Sequence, residues 1–174
     1  PLYFYFVNMN LYVTELEWTY PMAKMSLAQV SDVIFLLSLP LLLGYLGYKK
    51  TIFLGILAWA LRYFLLAGSV DMMSMQTLFI YTAILLHGAC YDFLFITGQL
   101  YVDEEANEKI RGAAQGFIAF ILWGVGAFVG THLAGISLAS HTLAEPVGSI
   151  AYDWQGIWAY PAWGSVAVLI VFLV

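Results

Sequence analysis

Asp92 stands inside an apolar run, Leu78–Asp103 (LFIYTAILLHGACYDFLFITGQLYVD), that is long enough to cross a bilayer and also holds His87, Tyr91 and Gln99. A carboxylate in hydrocarbon costs about 2.5–3.5 kcal/mol on insertion scales, so it must face a bundle interior or an aqueous cavity. Asp92 is therefore a candidate proton carrier. At about 100° per residue, Gly88, Tyr91, Asp92, Phe95 and Gln99 fall on one helical stripe. Leu86, Ala89, Cys90, Phe93, Leu94 and Thr97 cover the opposite side, which suits lipid or packed helices. Tyr91 and Phe95, four apart, can present an aromatic wall to a planar ring, although such a stripe also serves plain packing.

A second polar pair, Gln29 and Asp32, sits three residues apart near the start of another apolar run. Gln29 can hold a hydroxyl or an amide, and Asp32 can accept a hydroxyl when ionised and carry a proton when neutral. The competing reading starts that helix later and leaves both in water. Arg62 lies mid-span in the next run, at about the depth of Asp92 by residue counting. A buried Arg62–Asp92 pair is thus the structural alternative to a carrier role for Asp92. His87, one turn before Tyr91, is either a proton relay or a hydrogen-bonded packing residue, and Cys90 reads as packing.

The elements that must position these residues follow from composition. Of 174 residues, 63% are hydrophobic and 10% charged, and the mean hydropathy is +0.86, as expected of an integral membrane protein. Six apolar segments are predicted as transmembrane helices, at about 1–14, 26–46, 51–68, 77–101, 111–138 and 157–174. The fold class is all-α and polytopic. Gly112/Gly116 and Gly126/Gly130 are spaced to let helix backbones approach closely. The chain opens on Pro1 and closes on an apolar run, as a fragment of a longer protein would.

The net charge of −5 comes mostly from acidic residues flanking the spans, and no basic run points to nucleic acid. His132 and His141 lack acidic or thiol neighbours at metal spacing, so neither a metal nor another cofactor is expected. With no nucleophile–base motif or phosphate-binding loop, the sequence does not read as an enzyme. Six spans put Lys49, Lys50, Lys109 and Arg111 on one side and Lys24 on the other. The positive-inside rule then places the Gly47–Lys50 turn and both visible termini on the cytoplasmic side.

Several blocks carry a resemblance: SLAQVSD at 26–32, LGYKK at 46–50, AWALRY at 58–63, LHGACYDF at 86–93, RGAAQG at 111–116 and DWQGIW at 153–158. Together they resemble the carboxyl-terminal half of the nucleoside:proton symporter family of the major facilitator superfamily. The resemblance implies a six-helix transporter half in the cytoplasmic (inner) membrane of a bacterium. It also implies a missing amino-terminal half, and alternating access with substrate held between the halves. Nucleoside and proton are then the cargo and the lipid bilayer the surroundings. Carried over by position, the family's binding residues correspond to Asn10, Gln29, Asp32, Tyr91 and Phe95, with Asp32 first and Asp92 second as proton-coupling candidates. Two departures bear on substrate: Asp32 stands for a glutamate, and Val7 for a glutamine. Alternatives are a carrier of another polar solute, such as a sugar, and a non-transporting membrane receptor or assembly subunit.

Overall fold

The computed structural model describes residues 1–174. Helix α1 is Leu2–Glu15 and the short α2 is Pro21–Met25. The stretch Leu27–Asp71 is helical throughout except at Gly47, whose φ of 73° and ψ of 173° turn the chain. A residue without a Cβ takes that conformation readily. Two helices result, α3 (27–46) and α4 (48–71). After a 3₁₀ turn at Met73–Met75 come α5, Gln76–Leu85, and α6, His87–Glu105, bent by 43° where they meet at Leu86. Helix α7 is Arg111–Ser140, strands β1 (Thr142–Val147) and β2 (Ile150–Tyr152) pair antiparallel, and α8 is Trp154–Leu173.

This is the all-α architecture expected of a polytopic membrane protein, with a single hairpin added. Pro21–Asp71, Arg111–Ser140 and Trp154–Leu173 are each long and apolar enough to cross a membrane, and α5 with α6 is so as a bent pair. Because the 51-residue Pro21–Asp71 stretch turns at Gly47, it supplies two helices of near-spanning length. Helix α1, with 14 residues, extends about 21 Å and falls short of a hydrocarbon core about 30 Å thick. The helix predicted at 77–101 is two helices. The predicted outer loop 139–156 is shortened from both sides, by α7 running to Ser140 and by Asp153 capping α8 through the Gly156 N–H at 3.1 Å.

The two ends of the bundle are tied differently. At one end the Glu15 carboxylate accepts from Trp154 Nε1 (2.7 Å) and Ala151 N (3.2 Å), and its carbonyl accepts from Ser149 Oγ (2.6 Å). Gln155 donates to Asp71 there, so the ends of α1 and α4 hold the hairpin and the start of α8. At the other end Tyr48 donates to Glu104, Arg111 lies 3.9 Å from Asp103, and Gln115 donates to the Gln99 carbonyl at 2.9 Å. The hydrogen bond to Glu104 pushes the Tyr48 phenol above the usual tyrosine range. The Pro1 carbonyl accepts from Tyr63 at 2.6 Å, joining the start of α1 to α4.

The core is aromatic. Trp59, Tyr12, Tyr63, Trp154 and Trp158 are fully buried or nearly so, with Met9, Leu66, Ile80, Ile84 and Ile157 between them. Their polar ends find partners in the interior: Tyr12 with Ser69 at 2.8 Å, and Trp59 Nε1 with the Cys90 carbonyl at 2.9 Å. Glycine sets how closely α6 packs. A Cβ on Gly88 would lie 2.6 Å from the Ser31 carbonyl oxygen of α3, and one on Gly55 of α4 would lie 2.7 Å from Leu94 N. Of the four glycines spaced for close approach in α7, Gly130 alone meets another helix, 3.0 Å from Tyr3 Cβ; positions 112 and 116 open onto empty space.

Gly55→Ala and Gly88→Ala are each expected to destabilise the protein by about 1–3 kcal/mol through backbone overlap. Gly44→Ala and Gly98→Ala, which meet nothing within 4 Å, serve as neutral controls. Thermal unfolding of the full-length protein in detergent checks both pairs.

Candidate functional site

Arg62 is 0% exposed and organises the polar interior. Its guanidinium lies 3.5 Å from the centroid of the Tyr5 ring and 5.3 Å from that of Trp59. A desolvated cation over an aromatic face gains about 2 kcal/mol or more. Nη1 lies 2.8 Å from His87 Nδ1, and His87 Nε2 lies 4.0 Å from Asp32 Oδ2. Helices α1, α4, α6 and α3 thus meet in one chain of contacts: Tyr5, Arg62, His87, Asp32.

The Arg62–Asp92 pair, the structural alternative to a carrier role for Asp92, is not formed; Arg62 instead meets His87. His87 and Asp92 are five residues apart, about 140° around a helix, so the side that meets Arg62 turns Asp92 away. Depth counting placed Arg62 and Asp92 at one level without fixing that rotation.

Asp92 is 2% exposed and opens a π-helical turn, Asp92–Ile96. Such turns recur at functional sites because they free backbone groups and re-aim side chains. Here Thr97 Oγ1 donates to the Asp92 carbonyl at 3.0 Å, which steadies the turn. The break just before α6 is steadied in a similar way. Ser31 Oγ donates to the Leu85 carbonyl at 2.5 Å and accepts from Gly88 N at 3.1 Å. The face holding Ala89, Cys90, Phe93 and Thr97, read from sequence as lipid- or helix-facing, is buried against helices.

Tyr91 and Phe95 stand with ring centroids 5.7 Å apart, and Trp123 of α7 closes on both, at 6.0 and 6.2 Å. His87 stacks beyond Tyr91 at 6.1 Å, with Tyr5 and Phe6 of α1 at 6.0 and 6.1 Å from it. The aromatic surface is therefore built from three helices. Tyr91 is half-buried and Phe95 buried.

Among the other candidates, Asp32 is half-buried and Gln29 exposed, one turn nearer the α3 start. Asn10 is exposed and no side-chain contact draws it to this cluster. Its neighbour Asn8 is fully buried with both amide atoms unpaired. Tyr5, Phe6 and Trp123 had no sequence signal beyond being aromatic within spans; His87 was visible, but not its contact with Arg62.

Several buried polar atoms have no hydrogen-bond partner: Asp32 Oδ1, Asp92 Oδ2, and Nε and Nη2 of Arg62. Buried polar groups are ordinarily paired, so these atoms mark capacity for a ligand or proton. A cavity of about 520 Å³ lies elsewhere, between α7 and α8 over Phe4 and Trp59. Val129, Leu133, Ile136 and Val168 make its lining apolar, and none of the charged residues reaches it.

A family profile described as nucleoside H+ symporter matches residues 1–174. The chain belongs to the nucleoside H+ symporter family. It is 35% identical to YegT of Escherichia coli (strain K12), a candidate nucleoside transporter, over all of this chain and 41% of YegT. It is 29% identical to xanthosine permease of the same organism, over 88% of this chain and 35% of the permease. The crystal structure of an aspartate-to-alanine mutant of the nucleoside transporter NupG superposes with a TM-score of 0.83 at 26% identity, covering 98% of this chain and 44% of NupG. The chain thus spans well under half the length of the relatives it matches. These relatives are transporters and permeases, in keeping with the absence of an enzyme motif.

Because Arg62 is held by Tyr5 and His87, Asp92→Asn is expected to insert and fold with a thermal midpoint near that of the unaltered protein. Arg62→Ala, which strips the cation from a buried charged cluster, is expected to cost about 3–5 kcal/mol. Comparison of membrane yield and thermal unfolding for the two full-length variants checks the assignment.

Proposed function

We propose that this chain is the carboxyl-terminal half of a proton-driven nucleoside importer in a bacterial cytoplasmic membrane, working by alternating access against an amino-terminal half. The six segments correspond to α1, α3, α4, the α5–α6 pair, α7 and α8. Family membership supports the substrate class. The observation that carries the coupling reading is the buried Arg62 linked through His87 to the half-buried Asp32 carboxylate, beside an aromatic surface.

In this reading Tyr91 and Phe95, extended by Trp123, pack on the base. Gln29 and ionised Asp32 hydrogen-bond the ribose hydroxyls, with Asn10 joining from α1 once the other half is in place. Asp32 takes up the coupling proton, and Asp92 is the second acidic position. The end holding Tyr48, Lys49, Lys50 and Arg111 faces the cytoplasm by the positive-inside rule, and the hairpin tied to Glu15 faces out. Helix α1 begins, and α8 ends, toward the cytoplasmic side. A carrier of another polar solute is the second reading, favoured by Val7, an apolar and partly exposed side chain where the family carries a glutamine.

Uptake of labelled uridine and adenosine by cells expressing the full-length protein tests both. Protonophore-sensitive uptake that Asp32→Asn reduces at least tenfold is expected. Uptake indifferent to the protonophore removes symport, and competition by unlabelled sugars but not nucleosides selects the second reading.

A further inference from the structure

His87 is the one group that touches both the buried cation and the candidate coupling carboxylate. A guanidinium has only N–H donors and stays charged in proteins, so the 2.8 Å contact from Arg62 Nη1 to His87 Nδ1 requires Nδ1 to be the acceptor. An imidazolium would set N–H against N–H at that distance. The ring is therefore neutral and its proton sits on Nε2, the nitrogen 4.0 Å from Asp32 Oδ2. The ring is fixed on its flanks by Tyr5, Phe6 and Tyr91 and is 5% exposed.

We propose that His87 is a positioning residue of the coupling site, a fixed-tautomer donor through which Arg62 holds the ionised carboxylate of Asp32, rather than a proton carrier. This role rests on the symport reading for its effect on transport. At 4.0 Å the Nε2–Asp32 contact stands open, and Asp32 Oδ1 is unpartnered. When Asp32 is ionised, the Nε2–H and the Arg62 charge behind it draw the carboxylate in. A proton arriving on Asp32 removes that attraction and frees the carboxyl to turn toward the substrate side. No proton passes through the ring, whose Nδ1 lone pair stays committed to Arg62.

The other titratable or charged groups around Asp32 are Asp92, Tyr91 and Cys90 on α6 and Arg62 on α4, with Tyr5 of α1 on the far side of Arg62. Arg62 is the sole cation among them, and it reaches Asp32 by way of His87.

Two measurements on the full-length protein test this. In the ¹⁵N-histidine spectrum, with the His87 signals assigned by their loss in His87→Asn, the ring is expected as the neutral Nε2–H tautomer, with no titration between about pH 5 and 8. An Nδ1–H tautomer, or an imidazolium forming in that range, overturns the proposal. In the uptake assay, His87→Asn keeps an acceptor for Arg62 but loses the donor to Asp32, whereas His87→Gln keeps a donor at the Nε2 position. The alkaline limb of uptake is expected to move up by roughly one pH unit in His87→Asn and to return toward that of the unaltered protein in His87→Gln. Unchanged profiles in both variants, at equal membrane abundance, overturn the positioning role. Absence of proton-driven uptake by the unaltered protein overturns the symport reading instead, and the tautomer measurement decides the His87 assignment in either case.

Discussion

Burying a guanidinium in a membrane bundle is the constraint from which the interior follows. The effective cost of desolvating one ion is several kcal/mol, and Arg62 recovers it from an aromatic face, a ring nitrogen and a more distant carboxylate. Each comes from a different helix: Tyr5 from α1, His87 from α6 and Asp32 from α3. The cation therefore fixes the relative rotation of four helices. Apolar packing alone, being non-directional, specifies rotation far less tightly.

The same helices are irregular where they approach the cluster. Helix α5 breaks from α6 at Leu86, opposite Ser31 of α3, and α6 carries a π turn at Asp92–Ile96. Non-helical backbone at membrane depth is tolerated only where its polar groups are satisfied within the protein. Ser31 serves two backbone groups at the Leu86 break, and Thr97 serves the Asp92 carbonyl. The cost of irregularity is offset locally by hydroxyls on packed helices. In return, Asp92 is aimed away from Arg62, and Tyr91 and Phe95 meet Trp123.

The two ends of the bundle are held by contacts of different kinds. The Glu15 end is held by hydrogen bonds linking α1 to the hairpin and α8. The opposite end relies on exposed contacts such as Tyr48–Glu104 and the 3.9 Å Arg111–Asp103 pair. Exposed ion pairs contribute at most about 1 kcal/mol each.

Composition and apolar run length were enough to establish a polytopic all-α membrane protein, because hydrocarbon imposes span length and internally satisfied backbone on any sequence. The blocks around HGACYDF and RGAAQG were enough to indicate the family to which the chain belongs. The expense of charge in lipid marked Asp32, Asp92 and Arg62 before any geometry was known. Tertiary structure decided what those charges touch. Counting rises gives depth but not rotation, so it left an Arg62–Asp92 pair open, whereas the fold pairs Arg62 with His87 and passes the contact toward Asp32. Nor does local sequence announce a π turn or a broken helix, since both depend on distant hydroxyls such as that of Ser31 to satisfy the backbone they free. The aromatic surface was half legible for the same reason: Tyr91 and Phe95 share a helix and a stripe, whereas Trp123, Tyr5 and Phe6 join them only when three helices pack.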